Sequence, residues 1–318
     1  MQRISNSTLA HLLLLTVVII WGTTFVLVKD ALQDASPLLF NLLRMTLAAI
    51  ALAIINHRQL RKITAKTLVS GAIVGLFLAA GYQFQTTGLA RTTAAKSAFI
   101  TGLVVVFVPL LTIIPALRPA NAHAPRWTTA LGAILAFAGL LLLTTPPGTA
   151  WKNLFDSIGP GDLLTLLCAV AFAGHLLALA HASTQVPIAQ LATLQIAVAA
   201  IVMAITLPLD GTPHLALTPR LIIALTVTSL LATAAAFTIQ SWAQQHLPPV
   251  HTALLLTLEP VFACLTSFLF LNERLGPRAL IGALLILAGI ALTELLSASA
   301  PLPTHPSEPE TPFPQPGV

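Results

Sequence analysis

Residues 258–295 read LEPVFACLTSFLFLNERLGPRALIGALLILAGIALTEL. Two apolar runs, each long enough to cross a bilayer, meet at a polar corner, Asn272-Glu273-Arg274-Leu275-Gly276-Pro277. The Gly-Pro pair is expected to stop one helix and start the next, because proline fits the first helical position. One acid, Glu259, stands well inside the first run, directly before Pro260. A carboxylate at the centre of a membrane helix costs roughly 2.5–3.5 kcal/mol on insertion scales, so its presence asks for a reason.

The rest of the chain has the same character. Of 318 residues, 56% are hydrophobic and only 8% are charged, against about 25% charged in a soluble domain. Mean hydropathy is +0.90. So much apolar surface calls for lipid as the solvent, where only helices or closed barrels satisfy their own backbones. The apolar runs are continuous, not alternating, which selects helices. Ten spans are expected, at 9–29, 37–56, 67–88, 95–117, 127–145, 161–182, 188–208, 218–243, 250–271 and 277–297. Residues 1–8 form a short polar leader, and 298–318 a proline-rich tail that cannot build a core. The first run is too long for a signal-peptide core and no small-residue cleavage site follows it, so it reads as a retained span.

Net charge is +5, but the cations lie in short links between spans. That pattern carries topology information and argues against nucleic-acid binding. With the N-terminus inside, Arg58, Arg61, Lys62 and Lys66 lie inside, and Lys29, Arg91 and Lys96 outside. The second half opposes this bias with Arg220, Arg274 and Arg278 outside; the first half is given precedence because early helices dominate topology. Cys168 and Cys264 both fall in spans and read as packing residues. There is no phosphate-binding loop, no HExxH, no CxxC and no nucleophile elbow, so neither an ATPase motor nor an enzyme is expected.

An internal repeat divides the chain into 9–145 and 161–297, joined by a linker at 146–160. Gly132 and Gly139 line up with Gly282 and Gly289, and Tyr82-Gln83-Phe84-Gln85 with Phe237-Thr238-Ile239-Gln240. Arg44 falls opposite Gln195, Trp21 opposite Phe172 and Thr24 opposite His175. Five spans per half force the halves into opposite orientations, an architecture with a substrate site near the midplane. The expected fold is therefore an all-α polytopic membrane protein of two inverted five-helix repeats.

Family resemblance enters on particular residues. The corner above, with Trp21-Gly22-Thr23-Thr24-Phe25, Ser36-Pro37 and Leu43-Arg44-Met45, resembles the two-repeat signature of the EamA-type, ten-helix branch of the drug/metabolite transporter superfamily. The resemblance spans roughly residues 9–297. It implies secondary transport of a small metabolite, an amino acid or related solute, by efflux through the cell (inner) membrane with both termini in the cytoplasm. It also implies a cavity lined by spans one, three, four, six, eight and nine. The runner-up class is a non-transporting membrane sensor or scaffold.

Several polar residues stand in apolar surroundings. Glu259 is the candidate coupling group, since low dielectric favours the neutral acid and so suits proton uptake; a structural lock between helices is the alternative. Arg44, a third of the way into the second span, is expected to face a cavity or a polar partner. Gln85 and Gln240, paired across the repeat, suit a pocket for a small amphipathic solute, as does Tyr82; interhelical bonding is the alternative. Trp21 lines a pocket or packs helices. His175 is a further binding candidate, with simple packing as its alternative. Lys96 and His251 begin the fourth and ninth spans as a symmetric pair that could hold a substrate or carry protons, or snorkel to the headgroups. Glu273-Arg274 reads as a clasp and helix cap. No cofactor or metal is expected; the expected partners are a small-molecule substrate, the bilayer and protons.

Overall fold

A computed structural model describes residues 6–117, 127–145, 149, 158–247, 252, 255–256 and 258–298. His251 and the tail beyond 298 lie outside the described residues. The described chain is helical, with no strand; one isolated bridge joins Ala35 to Leu215. The main helices are α1 (Asn6–Ala31), α2 (Pro37–Ile55), α3 (Ala65–Leu89), α4 (Ala94–Leu111), α5 (Trp127–Thr144), α6 (Pro160–Ser183), α7 (Ile188–Thr206), α8 (Pro219–Ala243), α9 (Glu259–Leu271) and α10 (Pro277–Ala298). Seven helical runs among the described residues are long and apolar enough to cross a membrane: α1 to α4, α6, α7 with its short extension to Asp210, and α8. Shorter apolar stretches lie in α5, α9 and α10. Large side chains such as Ile54, Ile205 and Phe270 stay exposed on the outside, as a surface facing lipid requires.

Local chemistry sets the ends of these helices. Pro37, Pro160, Pro219 and Pro277 open theirs at the first turn, where a missing N–H costs nothing. Thr64, Thr93 and Thr218 cap α3, α4 and α8 by accepting from Thr67, Lys96 and Leu221. Two boundaries differ from expectation. The fourth span was expected to reach 117, but α4 ends at Leu111 and gives way to turns, with Pro109 inside its last turn and Pro115 beyond. The ninth was expected from 250 as one run; Thr252, Leu255 and Leu256 are helical, but a turn at Leu258 interrupts the run and α9 starts again at Glu259. Pro260 can sit only in a first turn or break a longer helix, and here it takes the first turn. The residue that ends α9 is Asn272, in the left-handed conformation at φ 54°, not Gly276; asparagine tolerates that conformation.

The two glycine pairs hold α5 against α10 with their backbones touching. A Cβ on Gly139 would come within 2.5 Å of the Gly282 carbonyl, and one on Gly289 within 2.5 Å of the Gly132 carbonyl. Contact partners thus run in opposite directions, so the two helices are antiparallel.

Links between helices meet in two groups. In one, Arg220 donates two bonds to the Asp34 carboxylate at 2.7 and 2.8 Å, and Thr218 adds a third at 2.6 Å. Asp210 accepts from the Ser36 hydroxyl and from the Leu39 N–H at the start of α2. Lys29 donates to the Leu89 and Thr92 carbonyls, and Thr92 to Asp162. Glu273 accepts from the Ala94 and Ala95 N–H groups and from the Ser267 hydroxyl. It caps α4, where backbone N–H groups favour an anion. In the other group, Asn56 donates to Thr193 at 3.0 Å and Gln190 to the Gln59 carbonyl at 2.9 Å. Below, these are the Asp34 face and the Arg58 face.

Candidate functional site

Between α1, α2, α3, α4, α6, α8 and α9 lies a cavity of about 700 Å³, its mouth included. Seven of the nine residues singled out in the sequence line it: Trp21, Arg44, Tyr82, Gln85, His175, Gln240 and Glu259. Its walls are aromatic. Trp21 and Phe237 lie 5.4 Å apart between ring centroids, and Tyr82 and Phe172 5.3 Å. Each pair joins one half of the chain to the other.

Arg44 is 3% exposed. Its Nε donates to Thr233 Oγ1 at 2.8 Å and its Nη2 to the Tyr82 hydroxyl at 3.0 Å, while its Cζ stands 4.3 Å from the Tyr82 ring centroid. A buried guanidinium without a carboxylate is costly. The ion pairs among the described residues join Lys96 to Asp162 and Arg220 to Asp30 and Asp34; Arg44 is in none of them. Glu259 likewise has no hydrogen-bond or ion-pair partner among the described residues. Gln240 is 1% exposed and its Oε1 is buried without a partner. One cavity thus presents a guanidinium with spare donors, a carboxyl and an orphaned amide oxygen.

Two further arrangements shape the walls. His175 Nε2 lies 2.9 Å from Gln195 Oε1, and Gln195 Nε2 donates to Ser241. In α8, residues Val227–Ala235 form a π-helix, a geometry frequent at functional sites. Thr233 reaches back to the Thr228 carbonyl, five residues earlier. The Ala232 carbonyl receives Trp21 Nε1 at 2.9 Å and Arg44 Nη2 at 3.3 Å.

Lys96 stands apart from the cavity lining. Its Nζ is 3.1 Å from Asp162, whose carboxylate also accepts from the Gly159 N–H at the start of α6. Sequence reasoning overlooked Thr233, Gln195, Phe172 and Phe237 as site residues. For the last two the signal was at hand: the repeat alignment sets them opposite Trp21 and Tyr82, already candidates.

The cavity reaches Val28 on α1 and Leu89 on α3, and a second cleft lined by Lys29, Asp30, Ala90 and Glu273 begins one residue further on. The cavity therefore leads toward the Asp34 face. At the other end Ala10, Leu14, Ala243 and Leu247 pack into an apolar plug with Trp242 and Leu255.

Comparison with known proteins places this architecture. The EamA-like transporter family profile matches twice, over residues 8–145 and 159–295. The chain belongs to the EamA-like transporter family. An uncharacterized transporter of Archaeoglobus fulgidus is 32% identical over 286 residues, covering 90% of this chain and 86% of its own. The uncharacterized transporter YoaV of Bacillus subtilis is 24% identical over 281 residues, covering 87% and 94%. One solved crystal structure aligns with a TM-score of 0.65 at 19% identity, covering 91% of this chain and 97% of that one; at that identity it speaks for the fold alone. This EamA-family chain is a multi-pass membrane protein of the drug/metabolite transporter superfamily.

Proposed function

We propose that this transporter is a secondary carrier that moves a small zwitterionic metabolite, an amino acid or a related solute, by alternating access. The observation that carries the reading is the trio in one cavity: Arg44 buried without a carboxylate, Glu259 half-buried without a partner among the described residues, and Gln240 Oε1 buried without a hydrogen bond. A carboxylate on Arg44 and an ammonium near Glu259 and Gln240 would supply those partners, and the ring pairs would hold an apolar side chain. Glu259 is the group proposed to couple transport to protons.

The proposed scaffold is ten membrane helices in two inverted halves, with both termini in the cytoplasm. Reciprocity of contacts supports it. The alignment equates Trp21 with Phe172 and Tyr82 with Phe237, and the Trp21–Phe237 pair is matched by Phe172–Tyr82. Gly139 on Gly282 is likewise matched by Gly289 on Gly132. The link after α1 meets the link before α8 on one face, and the link after α2 meets the start of α7 on the other. In this reading the cavity is open outward and the plug at Leu14 and Leu247 is the closed inner gate. Family resemblance favours efflux as the direction.

Counterflow into proteoliposomes tests the proposal, using a panel of labelled amino acids and related zwitterions. Saturable exchange is expected for wild type. For Glu259→Gln, loss of the pH dependence of transport is expected; an unchanged rate and pH profile would end the coupling role.

A further inference from the structure

The link between α2 and α3 carries a run of basic residues. His57, Arg58, Arg61, Lys62 and Lys66 fall within residues 57–66, and all five are exposed. No side chain of Arg58, Arg61, Lys62 or Lys66 makes an ion pair or hydrogen bond among the described residues. The acidic side chains described outside the cavity, Asp30, Asp34, Asp162, Asp210 and Glu273, all belong to the Asp34 face.

This charge sits on a fixed backbone. Gln190 at the start of α7 donates to the Gln59 and Lys62 carbonyls at 2.9 and 3.4 Å. Asn56 donates to Thr193 at 3.0 Å and to the Ala189 carbonyl at 3.4 Å. Thr64 caps α3 on the far side. At both ends of the link, large apolar side chains stay uncovered: Ile55 is 69% and Val69 58% exposed. Exposed apolar residues at the helix ends thus flank the exposed basic ones. That juxtaposition matches anionic lipid, which attracts basic clusters immediately beside membrane helices.

We propose that the 57–66 link is a binding platform for anionic phospholipid head groups. Four side chains supply charge and donors to the phosphates, and Ile55 and Val69 take the adjoining chains. Because Gln190 and Asn56 tie the link to α7, a bound head group also stabilises the packing of α2 and α3 on α7.

The full chain is placed in nanodiscs of phosphatidylcholine, or of phosphatidylcholine with about a third phosphatidylglycerol, a composition that sets a negative surface. Lipids retained after release into detergent are counted by native mass spectrometry, and thermal midpoints are recorded in both discs. Wild type is expected to retain phosphatidylglycerol preferentially, to melt higher in the anionic disc, and to lose both differences in high salt. Each basic side chain contributes up to about fivefold in lipid partition. The combined Arg58→Gln, Arg61→Gln, Lys62→Gln, Lys66→Gln variant is expected to lose the preference while keeping its phosphatidylcholine midpoint. Arg91→Gln with Arg274→Gln, on the Asp34 face, is expected to keep it. A preference that survives the four substitutions, or that the Asp34-face pair also abolishes, would overturn the platform. Should the fourfold variant not fold, the wild-type salt series decides: retention of phosphatidylglycerol unmoved by salt also overturns it.

Discussion

Arg44 illustrates what one residue in lipid must find. Buried among α2, α3 and α8, it reaches Tyr82, Thr233 and a backbone carbonyl, yet no carboxylate. Arg44→Gln keeps some hydrogen bonding and removes the charge. Bonds to charged groups contribute about 1.5–3 kcal/mol, so counterflow by that variant should fall at least about tenfold. A rate within twofold of wild type would remove Arg44 from the binding set. Asp34 makes a different case, outside the spans. Hydrogen bonds from Arg220, then from Thr218, hold its carboxyl down from the ordinary 3.8 to about 2. A depressed acid stabilises the fold above its unfolded value, and that contribution vanishes as pH falls through the folded one. The melting-point gap between wild type and Asp34→Asn should therefore be full above pH 3.8 and close as the pH approaches 2; a gap constant down to pH 2 would contradict the clasp. Arg44, Gln85, Gln240 and Glu259 were legible in the sequence because a polar residue inside an apolar run has few harmless explanations. Thr233 was not, because threonine is common in apolar helices, and the Ala232 carbonyl has no signature in side-chain identity at all.

Elements register the same physics in backbone contact and helix ends. Gly139 and Gly282 let α5 and α10 touch, and a side chain at either meets backbone at about 2.5 Å. Overpacking costs about 1–3 kcal/mol, so Gly282→Val should lower the thermal midpoint clearly, while Gly276→Ala, with nothing within 4 Å, should leave it unchanged. Equal midpoints for the two would contradict the packing. The π-helical stretch of α8 makes a second case. Thr233→Val keeps the shape but removes the hydroxyl that reaches Thr228 and receives Arg44. A stability loss of about 1–3 kcal/mol is expected, with reduced counterflow; full stability and full transport would leave the stretch without a role. Paired glycines at a fixed repeat were visible in the sequence, but which helices they bring together was not. The π-helix stayed hidden, because its residues are ordinary helix and strand formers and its geometry is tied to bonds from α1 and α2. The end of α9 was misread for a related reason: Gly276 is the usual left-handed residue, but Asn272 takes the position four residues earlier.

At the scale of the whole molecule, the apolar composition already required lipid, and the repeat already required two halves. Which links meet on which face could not be read from charge, because the cations of the second half oppose those of the first. Contacts group them instead: Asp34 with Arg220, Glu273 with the start of α4, and Asn56 with Thr193. A carrier of inverted halves needs equivalent links to lie on opposite sides of the bilayer. Gln33 follows α1 and Thr184 follows α6, the equivalent positions, and both are exposed. With Cys168 and Cys264 replaced by alanine, single cysteines at Gln33 and Thr184 can be probed in sealed right-side-out vesicles with a membrane-impermeant thiol reagent. The account predicts that the Gln33→Cys protein labels in intact vesicles and the Thr184→Cys protein only after permeabilisation. Labelling of both from the same side would contradict it.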